Sequence, residues 1–205
     1  MPSHEARRER VTLQVAPEDE LRAQLYRYLA RFLAAPPGRA DLETAAALTG
    51  SETDLGKAVR DFGQLASRTS LEQVREEYHD LFIGVGRGEL LPYASYYLTG
   101  FLNEKPLAKL RNDMAALGIA RDPSVKEPED HIAALLDMMA GLITGDFGDP
   151  ASLSEQKRFF ETHVSSWAEH FFADLEAAKS SVLYATLGTV GRRFIEIEET
   201  AFSMS

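Results

Sequence analysis

The 205-residue chain contains no cysteine. Disulfides, thiol nucleophiles and cysteine-held zinc or iron–sulfur centres are excluded, whatever fold it adopts. It also lacks a long apolar run. The most hydrophobic stretch, Ile132 to Ile143, is too short to cross a bilayer and carries Asp137, so no stable membrane insertion is expected. Positive charge is in the minority, with 22 Lys and Arg against 32 Asp and Glu, a net −10. Such a surface repels phosphate backbones, which argues against nucleic acid as a partner and suits a basic peptide. Strand signals are absent: there is no two-residue alternation bounded by turns, and no Asn-Gly or Asp-Gly hairpin step.

Catalytic and metal-binding patterns are equally sparse. A di-iron bundle needs two Glu-x-x-His pairs, and only Glu76 with His79 supplies one. There is no His-Glu-x-x-His. Gly84-Val-Gly86-Arg-Gly88 lacks the Lys-Ser/Thr and the preceding strand of a phosphate cradle, and reads as a flexible loop. No Gly-x-Ser-x-Gly elbow occurs. No metal, no cofactor and no enzymatic activity are expected. Arg7 and Arg8 are followed by charged residues, not by the apolar region of an export signal. Residues 1–16 therefore read as a polar tail, on a protein expected to stay soluble in the cytoplasm.

What the chain does have is helical periodicity. Apolar residues make up 44%, enough to bury a core. Leu21, Leu25, Tyr28, Leu29, Phe32 and Leu33 recur at three and four residues, with Pro17 at the start and Pro36, Pro37 and Gly38 at the end. Ser70-Leu-Glu-Gln73 and Ser152-Leu-Ser-Glu155 are capping boxes that open further helices. Ser51 with Asp54 offers another start. Pro128 is expected to open the strongly apolar helix bearing Ile132, Leu135, Leu136 and Met139, and the Ser152 box is expected to lead into one helix through Phe159 and Val164 to Leu175. The prediction is a single all-α domain over residues 17–205, with about eight to ten helices by counting amphipathic segments.

Two segments are unusual. Glu127-Pro128-Glu129-Asp130-His131 sets an acidic cluster against the start of an apolar helix. It reads either as dipole-favoured capping or as the acidic mouth of an apolar groove, with His131 responsive to pH. Pro92-Tyr93-Ala-Ser95-Tyr96-Tyr97, beside the glycine-rich loop, reads either as core packing or as a tyrosine-rich binding surface.

Taken in order, Tyr78-x-x-Leu81-Phe82, Pro92-Tyr93-x-Ser95 and Glu127-Pro128-Glu129-Asp130-His131 resemble the TorD/DmsD family of redox-enzyme maturation chaperones. The run Phe160-x-x-His163-Val-x-x-Trp167-x-x-x-Phe171 and Tyr184-x-x-Leu187 to Phe194 are similar to the family's C-terminal pattern, so the resemblance covers about residues 20–200. It implies an all-helical TorD-like fold and a non-enzymatic chaperone. Its partners would be the twin-arginine signal peptide and the apo form of a molybdopterin oxidoreductase, which it keeps from premature export during folding and cofactor insertion. The implied peptide surface comprises Tyr78, Leu81, Phe82, Pro92, Tyr93, Ser95, Glu127, Pro128, Asp130 and His131. A groove would run along Leu81, Phe82 and Tyr93, and Asp130 would pair with an arginine of the peptide. Tyr93 stands where some relatives carry tryptophan, which implies a different peptide preference. Two other functions fit the residues alone: a helical adaptor for another apolar peptide, and a small helical enzyme using Asp130 and His131. Monomer and dimer both fit.

Overall fold

The 3.6-residue spacing resolves into ten α-helices within residues 15–205, the part of the chain that the computed structural model describes. Of the expected 1–16 tail, residues 1–14 lie outside that part. The helices are α1 (Pro17–Ala34), α2 (Arg39–Ala46), α3 (Asp54–Ala66), α4 (Leu71–Tyr78), α5 (Ala94–Thr99), α6 (Lys105–Ala116), α7 (Ile132–Thr144), α8 (Leu153–His163), α9 (Ser165–Ala177) and α10 (Leu183–Ser203). Among the described residues the only strand-like pairing is an isolated antiparallel bridge between Tyr93 and His131. The domain is all-α.

α7 is apolar on nearly every side. Ile132, Leu135, Leu136, Met139 and Ile143 are all buried, as such a sequence requires. It packs along α1, while α10 packs on α9 and α3. Gly188 and Gly191 let α10 approach α9 closely: a Cβ at 191 would lie 2.2 Å from the Phe172 ring.

Proline chemistry ends α1. Pro36 and Pro37 have no N–H to offer the carbonyls of Phe32 and Leu33 four residues back. Two distant tyrosines take over. Tyr184 donates its hydroxyl to the Phe32 carbonyl at 2.8 Å, and Tyr78 donates to that of Leu33 at 3.3 Å. The buried Glu77 accepts the backbone N–H groups of Val182, Leu183 and Tyr184 at 2.6, 3.1 and 2.7 Å, capping α10. At the other end, buried Glu198 accepts from Arg22 and Tyr26 and ties α10 to α1.

Four expectations shift. The buried stripe of α1 is Ala23, Tyr26, Leu29, Ala30, Phe32 and Leu33, and Leu21 faces outward. The start of α3 is capped by Thr53, whose hydroxyl accepts from Gly56, and not by Ser51. The single helix expected from the Ser152 box to Leu175 is divided at Val164, where φ widens to −114° between α8 and α9. Pro128 does not open α7: residues 128–131 form a turn, and the helix begins at Ile132 with His131 as its N-cap.

Candidate functional site

The two unusual segments of the sequence, 92–95 and 127–132, lie against each other. The Ala94 N–H donates to the Asp130 carbonyl at 2.9 Å, and the Ile132 N–H donates to that of Pro92 at 2.8 Å. Asp130 is 1% exposed. Its Oδ2 accepts the Ser95 backbone N–H at 2.8 Å and the Ser95 hydroxyl. The carboxylate therefore caps α5, the helix of the other segment, rather than α7. Asp130 thereby holds the two segments together from inside, with Oδ2 committed to Ser95.

Tyr93 and Glu127 complete the junction at the surface. The Tyr93 hydroxyl donates to Glu127 Oε2. Partial burial and the Glu127 charge hold that hydroxyl protonated, well above its ordinary titration range. The Tyr93 ring meets the His131 ring edge-on, with centroids 5.1 Å apart. His131 Nδ1 accepts the Ala133 N–H at 3.1 Å. Burial lowers the His131 pKa to about 4, against the pull of Glu127 and Asp130. The imidazole is neutral at physiological pH, so its response to pH falls on the acid side. Glu129 turns away and pairs with Arg111 at 2.8 Å and Arg121 at 3.3 Å, which together hold its pKa down despite burial.

The remaining site candidates fall on the interior side of this junction. A π-helical turn over His79–Ile83 follows α4, closed by the Gly84 N–H on the His79 carbonyl at 2.7 Å. Leu81 is fully buried, and Phe82 packs half-buried against Tyr78 and Tyr184. Burial, with the Glu127 charge adding to it, pushes the Tyr78 pKa up to about 12. Pro92 is buried. Leu81 and Phe82 are thus core and the support of the site, and the expected groove along Leu81, Phe82 and Tyr93 is not open.

The open apolar surface lies on the other side of the 127–131 turn. A cleft of about 640 Å³ runs between α1, α7 and the 119–129 connector. Ala30, Met114, Val125, Ala134, Met138 and Phe147 supply its apolar lining. Glu127, Pro128, His131 and Asp137 also line it, as do Arg27, Arg31 and Arg121, whose guanidinium groups pair with Asp146, Asp41 and Glu129. Burial raises the Asp137 pKa, with Arg27 partly opposing. Periodicity did not single these lining residues out as a site. The signal was present in the small residues Ala30, Ala34, Ala133 and Ala134, which leave room where α1 and α7 face each other. A largely apolar cleft with an exposed carboxylate in its lining can take an apolar segment that carries a basic group. No helix among the described residues is long and apolar enough to cross a membrane.

Comparison with known proteins places this arrangement among relatives. The sequence profile of the family described as nitrate reductase delta subunit matches residues 49–173. The chaperone protein TorD of Vibrio vulnificus (strain CMCP6) is 30% identical over 174 residues, covering 75% of this chain and 81% of its own. TorD of Vibrio cholerae (El Tor Inaba N16961) is 27% identical over 198 residues, covering 87% and 90%. The crystal structure of a redox enzyme maturation protein from Archaeoglobus fulgidus shares the fold, with a TM-score of 0.54 at 22% identity, over 92% of this chain and 99% of that one.

Proposed function

Because the chain belongs to the TorD/DmsD family of redox-enzyme maturation chaperones, within the nitrate reductase delta subunit family, we propose that it binds the twin-arginine signal peptide of a molybdopterin oxidoreductase in the cytoplasm. It holds the apoenzyme back from export while folding and cofactor insertion proceed. The observation that carries this reading is the apolar cleft between α1 and α7 with Glu127 in its lining.

A twin-arginine leader has a basic segment followed by an apolar one. The apolar part, once helical, lays its face on Met114, Val125, Ala134 and Met138. Burial there supplies most of the affinity, at roughly 25 cal/mol per Å² before ordering costs. Glu127 receives an arginine. Tyr93 already donates to Oε2, which leaves Oε1 for a guanidinium. Asp130 and Ser95 act as positioning residues: they hold Tyr93 in place, and Tyr93 aims Glu127. Tyr78, Leu81, Phe82 and Pro92 form the packed support behind it. His131 and Pro128 shape the cleft end. Nothing in the reading requires turnover, and the relatives carry the name chaperone.

The test is affinity capture from the cytoplasm of the native host, with wild type and with Glu127→Ala/Tyr93→Phe. Recovery of a molybdoenzyme precursor with its leader intact, lost in the double variant, supports the proposal. Failure to recover any such precursor while the host makes one overturns it.

A further inference from the structure

Arg7 and Arg8 open a short segment in which Arg10, Val11, Leu13 and Val15 follow. It is too charged and too short for export, yet it keeps a leader's order, basic residues before apolar ones. Residues 1–14 hold three arginines and two glutamates, the opposite sign to a chain of net −10. At Val15 the described chain begins, and that side chain already packs against the core just before α1.

The segment leads straight into the helix that forms one wall of the leader cleft. Arg27, Ala30, Arg31 and Ala34 line that cleft, about 15 to 25 Å along α1 from Pro17. An extended chain covers about 3.3 Å per residue. Folded back along α1, Leu13 and Val11 fall about 13 and 20 Å from Pro17, level with Arg27 and Ala30. Arg8 and Arg7 fall about 30 to 33 Å away, past Ala34. Glu127 stands at that far end of α1. Tyr78 donates to the Leu33 carbonyl there, and the Glu127 charge reaches it. Length and polarity therefore both match, and so does charge. Among the described residues Glu127 accepts only from Tyr93 and forms no ion pair, whereas the cleft arginines are held by Asp146, Asp41 and Glu129.

We propose that residues 7–13 dock in the α1–α7 cleft, with an arginine on Glu127 Oε1 and with Val11 and Leu13 against Ala30, Ala134 and Met138. The chain then carries a competitor for its own leader site, an inference that rests on the leader reading of that cleft. A tethered segment meets its site at an effective concentration in the millimolar range, so contacts too weak to hold a free peptide suffice. The apolar cleft of an unladen chaperone is thereby covered. A leader with a full apolar region buries more surface and displaces the segment.

Because the chain has no cysteine, Ala6→Cys accepts a single nitroxide label. In the isotopically labelled full chain, the amides of Glu127, Ala134 and Met138 should broaden strongly and those of α9 should not. Arg7→Glu/Arg8→Glu should abolish the effect. Leader affinity is measured beside it. Deleting residues 2–14 should tighten leader binding about tenfold, as loss of a competitor present about nine-tenths of the time requires, and Arg7→Glu/Arg8→Glu should match the deletion. Broadening seen only between mixed chains puts a second copy's segment in the cleft and overturns the proposal. Unbroadened cleft amides, with a leader that binds full and shortened chains equally, overturn it too and leave the leader reading standing. Broadened cleft amides with a leader that binds neither chain keep the docking and overturn the leader reading.

Discussion

Asp130 reaches back 35 positions to Ser95 and takes both its backbone N–H and its hydroxyl on one carboxylate oxygen. The bond joins a turn that opens α7 to a helix that has no other side-chain N-cap. With the two backbone hydrogen bonds between the segments, it holds the junction that carries Tyr93 and Glu127.

Asp130→Ala should therefore act on stability before it acts on binding. It leaves the buried Ser95 donors unpaired, at a cost of about 2–4 kcal/mol. Ser95→Ala removes the hydroxyl alone and should cost about 1 kcal/mol. Urea unfolding of both single variants and the double variant checks this. The double should lose clearly less than the sum, because the two residues share one interaction. Strict additivity would contradict the coupling.

The tyrosine caps on α1 give a second prediction. Tyr184→Phe and Tyr78→Phe each remove the hydroxyl that serves a proline-orphaned carbonyl. Each should cost about 1 kcal/mol, and Tyr184→Phe the more, since its bond is shorter and fully buried. Thermal unfolding reads the difference directly.

Acid should weaken the fold through His131. Its folded pKa is about 4 against 6.5 for the free side chain, so between these values the unfolded chain binds more protons. The contribution is fully present above about pH 6.5 and is lost as pH falls through about 4, up to about 3 kcal/mol in all. His163, also buried, shifts in the same direction, so the test is a comparison. His131→Asn keeps an N-cap acceptor for Ala133 but cannot titrate. Its stability should fall less steeply than wild type between pH 6.5 and 4, and parallel curves would refute the assignment.

Much of the fold was legible in the sequence because helices announce themselves locally. Both serine capping boxes form as spaced, and the apolar run of α7 is buried as its composition demands. The misjudged features depend on distant partners. Asp130 reads as a cap for its own helix, and only the tertiary fold reveals that Ser95 is nearer in space. The family resemblance implies a groove at Leu81 and Phe82, yet Tyr184 packs against Phe82 from α10. The α1–α7 cleft is made by alanines, whose effect is the space they leave, and periodicity has no signal for space.

The central claim is that the α1–α7 cleft is where a leader binds. The most direct test is fluorescence anisotropy with a labelled twin-arginine leader peptide and its Lys-Lys version, against wild type and Ala134→Glu. Ala134 is only half-buried at the cleft wall, so the charge enters the cleft with little effect on folding. The account predicts tighter binding of the arginine peptide to wild type and at least about tenfold weaker binding by Ala134→Glu at unchanged stability. Full affinity in the Ala134→Glu variant would place the leader elsewhere on the protein and contradict the account.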